Sequence, residues 1–178
     1  MAIRNIVKYP EKSLSQPSVK IEVLDQEIKN LVEDMEETMF NNAGIGLAAP
    51  QVGINQRVII FDSHAVDPEY DGETKEVTAL INPKIIASEG SFISEDEGCL
   101  SVVDFRATVK RYAKVRVRAL DINGKQLEFD AEGLMAVIMQ HEIDHLDGIL
   151  FIDRISSLKR AMYKKRRLKA LQELKSNK

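Results

Sequence analysis

The stretch LMAVIMQHEIDHL, residues 134–146, constrains this chain more than any other. Its apolar residues fall on nearly every side of a helix. Leu134, Val137 and Ile138 share the face of His141, while Met135, Met139 and Ile143 cover another. A helix that is apolar all round is buried, so the rest of the chain must wrap it. Yet it also carries His141, Glu142 and His145. Buried without partners, two imidazoles and a carboxylate would destabilise the fold by several kcal/mol. A metal ion satisfies them. Positions i and i+4 lie one above the other, so His141 and His145 can aim at one ion, and Glu142 can reach a water on it. The competing reading is an ordinary helix, expected over 132–146, with packed or solvated histidines.

What wraps this helix is legible in outline. Residues 1–20 contain Pro10 and Pro17 and read as an extended arm. From Leu24 to Phe40 the apolar spacing is helical, with Asp25 placed as N-cap. GIGLAAPQVG (44–53) has glycine and proline punctuation that forbids a regular helix. RVIIFD (57–62), VTALIN (77–82) and KIIASEG (84–90) read as strands, with an acidic loop at 63–75. ATVKRYAKVRVRAL (107–120) alternates and meets KQLEFD (125–130) across an Asn-Gly hairpin signal. ILFI (149–152) reads as a short strand before a final helix at about 157–175. The expected fold is α+β: antiparallel strands around a central metal-binding helix, with an N-terminal and a C-terminal helix. One domain over 1–178 is expected, the basic helix 158–178 included.

Composition narrows the setting. No apolar run approaches the ~18 residues of a membrane span. MAIRNIVKYPEKS lacks a secretory h-region, and a lone cysteine excludes an internal disulfide, so a cytoplasmic home is expected. Residues 159–178 carry nine Lys/Arg against one acid, Glu173, a balance of +8 that leaves −11 for the rest of a chain whose total is −3. Such a tail suits an anionic partner.

A catalytic site of this type wants a third protein ligand and one open position. His64 sits in a polar loop and reads as an exposed residue. Cys99, in EDEGCLS, follows a glycine that permits close backbone approach, and a thiolate forms readily beside a cation. Cys99 is the better candidate, though a lone cysteine is most often a small core residue.

GIGLAAPQVG (44–53), EGCLS (97–101) and QHEIDH (140–145), in that order, resemble the three signature motifs of the peptide deformylases. The resemblance implies a metal held by Cys99, His141 and His145 with water as fourth ligand, Fe(II) being native and zinc, nickel or cobalt able to replace it. It implies removal of the N-formyl group from nascent formyl-methionine chains, with release of formate. Glu142 would be the general base, and Gln51 and the Leu100 backbone N–H the oxyanion donors. Gly44, Ile45, Gly46 and Gly98 would flank a peptide substrate. Ile45, Leu134, Val137 and Ile138 are candidates for the methionine pocket, core packing being the even alternative. Arg106 resembles an arginine on the far side of the substrate, and Ser101 and Glu97 would support the site. A monomer is expected, with the basic tail docking on the ribosome. Two departures stand out: Val103 where a proline is common, which frees φ and adds an N–H, and Glu95 where an apolar pocket wall is expected.

Two other classes make different demands. A zinc endopeptidase needs a His or Glu as third ligand downstream of His145, where no His follows and Asp147 and Asp153 are poor matches. A metal-stabilised binding module needs four protein ligands and a closed site.

Overall fold

Val58-Ile59-Ile60-Phe61 is an unbroken apolar run, which suits a strand covered on both faces. In a computed structural model, which describes residues 2–67, 69 and 74–176, it forms β2 (Val58–Asp62), buried throughout. Val58 and Ile60 pack with Ile28, Leu31, Met35 and Met39 of helix α1 (Gln26–Asn41). Ile59 and Phe61 pack with Ile138, Met139 and Ile143 of α2 (Gly133–Leu146). One period-2 strand thus serves two cores.

The sheet runs β1 (Gly46–Ala48), β2, β3 (Val77–Glu89), β6 (Lys114–Leu120), β7 (Gln126–Glu132), each pair antiparallel. The β6–β7 hairpin turns at Asn123-Gly124, with Gly124 at φ +84°, as the dipeptide signalled. β4 (Phe92–Cys99) and β5 (Val102–Arg111) form a separate two-stranded ribbon, closed by the pair Cys99 and Val102. A third apolar cluster lies under this ribbon, joining Val102, Val109 and Phe151 to Leu14 of the arm and to Tyr163 of α3 (Ser157–Ser176). The architecture is α+β, with the three helices expected.

The Asp25 carboxylate accepts the N–H groups of Glu27 and Ile28, so α1 begins where its cap was read. Elsewhere boundaries moved. The strands expected at 77–82 and 84–90 are one continuous β3, kinked where Asn82 adopts φ +51° and its side chain bonds the backbone of Ile21 at 2.7 and 2.8 Å. Residues 107–120 divide at Tyr112-Ala113 between two sheets. Odd-numbered residues point inward on both sides of the break, so alternation could not reveal it. β4 was not foreseen, because SFISEDEGC is too acidic to look like a strand. ILFI is no strand: Leu150 leads into a 3₁₀ turn over Phe151–Asp153, and the Asp153 carboxylate accepts the Leu150 N–H at 3.1 Å. A short apolar run cannot distinguish the two. Of the acidic loop, residues 68 and 70–73 lie outside the described residues, and His64–Val66 form a 3₁₀ turn.

The arm is extended, with one 3₁₀ turn at Lys12–Ser15. It is stitched to the body by backbone bonds, Val7 N–H to the Gln51 carbonyl and Tyr9 N–H to the Ser101 carbonyl, both at 2.8 Å. The apolar side chains Leu158, Met162 and Leu174 of α3 do not dock it on the body, since they are well exposed. The helix attaches instead through buried Tyr163, packed on Tyr9 and Phe105, and through Arg166 and Arg167, which donate to the carbonyls of Asp104 and Tyr9. No helix among the described residues is long and apolar enough to cross a membrane.

Candidate metal centre and cleft

α2 is buried from Ile138 to Leu146, polar residues included, as an all-round apolar helix requires. His141 and His145 meet edge to face, ring centroids 5.1 Å apart. Cys99, at the end of β4, brings Sγ to 3.2 Å from His145 Nε2. One ligand atom from each of Cys99, His141 and His145 falls within a 4.8 Å cluster. Tetrahedral bonds of about 2.3 Å to sulfur and about 2.0 Å to nitrogen would set such a pair about 3.5 Å apart. One thiolate and two imidazoles are a donor set for zinc or iron(II). The residues fit a metal ion, and two orphaned atoms beside them, His145 Nδ1 and Glu142 Oε2, show how polar this buried spot is.

The surroundings orient the ligands. Glu97 Oε2 lies 3.4 Å from His141 Nδ1, which leaves Nε2 for a metal. Arg111 holds Glu97 in a two-point contact at 2.8 and 2.9 Å. Burial opposes the Glu97 charge, but Arg111 and His141 prevail and draw its pKa down to about 2. Burial opposes a charge on His141 too, yet the hydrogen bonds it donates to Cys99 and Glu97 hold its pKa near 10, so a binding cation competes with a proton there. Burial keeps His145 well below the usual imidazole range, with the charges of His141 and Arg111 acting in the same sense. Burial lifts Glu142 to about 7, against the pull of His141 and Arg111.

A cleft of about 890 Å³ opens beside the cluster. It is lined by Gly44, Ile45, Gly46, Gln51, Gly98, Cys99, Leu100, Arg106, Leu134, Val137, Ile138, His141 and Glu142, so the structure brings together all the expected site residues except His145, which is buried beneath. Gln51 is anchored from behind: its Oε1 accepts the Ala48 N–H at 2.8 Å, and Nε2 points to Ser101 Oγ (3.3 Å) and Cys99 Sγ (3.4 Å). Gly46 stands hard against Glu142: a Cβ there would sit 2.5 Å from Oε1 and would force the carboxylate aside. Ile45 and Leu134 stand half-exposed at the mouth, while Ile138 lines the cleft and belongs to the core as well. Arg106 is exposed and bonds Asp96 at 3.1 Å. Glu95 is an exposed part of the lining, and Val103 belongs to β5. His64 is half-buried rather than exposed and lies 3.2 Å from Glu76, outside the cluster.

Sequence reasoning passed over Arg111, Asp144 and Arg154. The signal for Arg111 was present: it holds the inward phase of β5, in step with Ala107 and Val109. An arginine there is buried and has to find carboxylates.

An α+β scaffold wound round an HExxH helix, with a cysteine and two histidines clustered beside a cleft, defines a hydrolase with a candidate metal centre. Comparison with known proteins places it further. Residues 3–161 match the polypeptide deformylase family model. A peptide deformylase of Thermodesulfovibrio yellowstonii is 46% identical over 166 residues, covering 93% of this chain and 97% of that one. The crystal structure of a peptide deformylase from Legionella pneumophila superposes with a TM-score of 0.86 at 41% identity, covering 99% of both chains. A class I type b peptide deformylase from Acinetobacter baumannii, solved with Met-Ala-Ser bound, gives a TM-score of 0.78 at 35% identity over 86% of this chain and 99% of that one. The chain belongs to the peptide deformylase family, and it is an enzyme.

Proposed function

We propose that this enzyme hydrolyses the N-formyl group from formyl-methionine at the start of nascent chains, releasing formate and a free amine. The observation that carries the reading is convergence: Gln51 Nε2, Glu142 and the Cys99, His141, His145 cluster, from three separate motifs, meet at one cleft. Cys99, His141 and His145 are assigned as ligands of one divalent ion, Fe(II) in the native enzyme. When bound, the ion supplies Lewis acidity, lowering the pKa of water and polarising a carbonyl.

The chain's own residues do the rest. Glu142 accepts a proton from the attacking water and delivers it to the departing amine as the C–N bond breaks. Gln51 Nε2 and the Leu100 N–H donate to the oxygen as it gains negative charge, and the bond from Ala48 keeps the Gln51 amide facing that way without titrating. Gly44-Ile45-Gly46 and Gly98 flank the peptide backbone, with Arg106 farther out. Ile45, Leu134, Val137 and Ile138 receive the methionine side chain, and the Met-Ala-Ser bound to the A. baumannii relative supports a peptide occupant.

Residues 1–178 act as one unit, monomeric and cytoplasmic. The +8 tail docks on ribosomal RNA near emerging chains. Anaerobically purified protein should release formate from a formyl-Met peptide, whereas Cys99→Ala and Glu142→Ala should be inert and Glu142→Ala should still hold metal. Full activity in either variant overturns the mechanism. Cleavage of unformylated internal peptide bonds overturns the substrate.

A further inference from the structure

Arg154 lies outside all three motifs, just past the Phe151–Asp153 turn and three residues before α3. Its Nε and Nη2 each donate to a different oxygen of Asp144. Asp144 is on the metal helix, and Arg111 Nη1 already reaches it at 2.7 Å. The other two donor groups of Arg111 hold Glu97, which lies against His141. These contacts make one line: Arg154, Asp144, Arg111, Glu97, His141.

The line alternates in charge, two guanidinium groups with two carboxylates. Arg111, Glu97 and Asp144 have side chains 1%, 5% and 9% exposed, and Arg154 is the outer member at 42%. Without Arg154 the three inner groups, one guanidinium and two carboxylates, carry a net negative charge. Among the described residues Asp144 would then have Arg111 as its one paired cation, and a buried carboxylate short of partners draws strongly on the one that remains. Arg111 cannot turn toward Asp144 without loosening its two-point hold on Glu97. Glu97 in turn fixes which nitrogen His141 presents.

Resting on the metal reading above, we infer that Arg154 is a positioning residue for the metal centre, acting through Asp144, Arg111 and Glu97 on His141. Arg154 saturates Asp144, so that Arg111 stays on Glu97. Its effect is therefore on metal retention and ligand geometry. The contribution to the fold is secondary, because the guanidinium is partly solvated.

The test measures Zn(II) affinity by competition with a chelator, and the absorption of the Co(II)-loaded protein. Arg154→Met should weaken Zn(II) affinity about 10-fold, in the range seen for groups that support metal ligands, and shift the Co(II) bands. Arg154→Lys, which keeps the charge but not the two-point contact, should fold normally and fall between. Arg160→Met removes a guanidinium that pairs with Asp153 instead and should match wild type. Combined with Glu97→Gln, the Arg154→Met effect should largely vanish, since both act along one line. Wild-type affinity and spectrum in both Arg154 variants, or full additivity with Glu97→Gln, overturns the inference alone. A wild type that holds no metal overturns the metal reading with it.

Discussion

α1 and α2 cover opposite faces of one sheet, and they are built on opposite rules. α1 is amphipathic, capped by Asp25, and turns Ile28, Leu31, Met35 and Met39 inward. α2 has no side-chain cap and is buried on nearly every side, with Gln140, His141, Glu142, Asp144 and His145 inside. The first helix contributes packing alone. The second packs Ile138, Met139 and Ile143 into the core and also holds groups that prefer water. Loss of an apolar side chain from the first should cost stability and spare turnover, and loss of a polar site group from the second should do the reverse.

Glu142→Gln should separate the two most widely. Formate release should fall about 10²–10⁴-fold, the usual worth of a general base. The midpoint of thermal unfolding should hold or rise, because an amide is easier to bury than a carboxylate short of partners. A large fall in stability would break the comparison. Met35→Ala is the mirror image, with a loss of about 2–5 kcal/mol in denaturant titration at unchanged kcat for the folded protein. Gly46→Ala sharpens the contrast by touching α2 from β1. Its Cβ displaces the Glu142 carboxylate, and kcat should fall about 10²-fold with little change in unfolding midpoint. Asp25→Ala should remove about 1 kcal/mol of stability and no activity.

The smallest effect is a pH effect on α1. Slight desolvation opposes the Asp34 charge, but hydrogen bonds from the Ala2 N–H and Arg4 prevail and hold its pKa below 3.8. A lowered pKa stabilises the folded state above pH 3.8, and the contribution is lost as pH falls through the folded value. The gap between wild type and Asp34→Asn in urea titrations should therefore close on acidification. A gap that widens would show that the arm is held by something else.

The contrast between the helices also explains what could be read in advance. α1 obeys local rules, so its span and cap were evident from residues 24–40. α2 was legible because so apolar a helix leaves few options, and His141, Glu142 and Cys99 followed from its chemistry. The two-sheet split at Tyr112-Ala113 was not legible, because inward parity runs on through it. The partners of Asp144 were not legible either, since Arg111 and Arg154 lie 33 and 10 residues away and only the fold brings them together. Leu150 to Ile152 misled for a simpler reason: burial alone does not choose between a strand and a turn.

Where the arm crosses from Val7 to Tyr9, its backbone sets a distance. Two residues of extended chain span about 7 Å, and that span sets the offset between the Gln51 carbonyl and the Ser101 carbonyl, hence between the loops bearing Gln51 and Cys99. The arm is a ruler. One residue inserted between positions 7 and 9 would shift one loop against the other by about 3.3 Å. In this family the count of residues there should be strict.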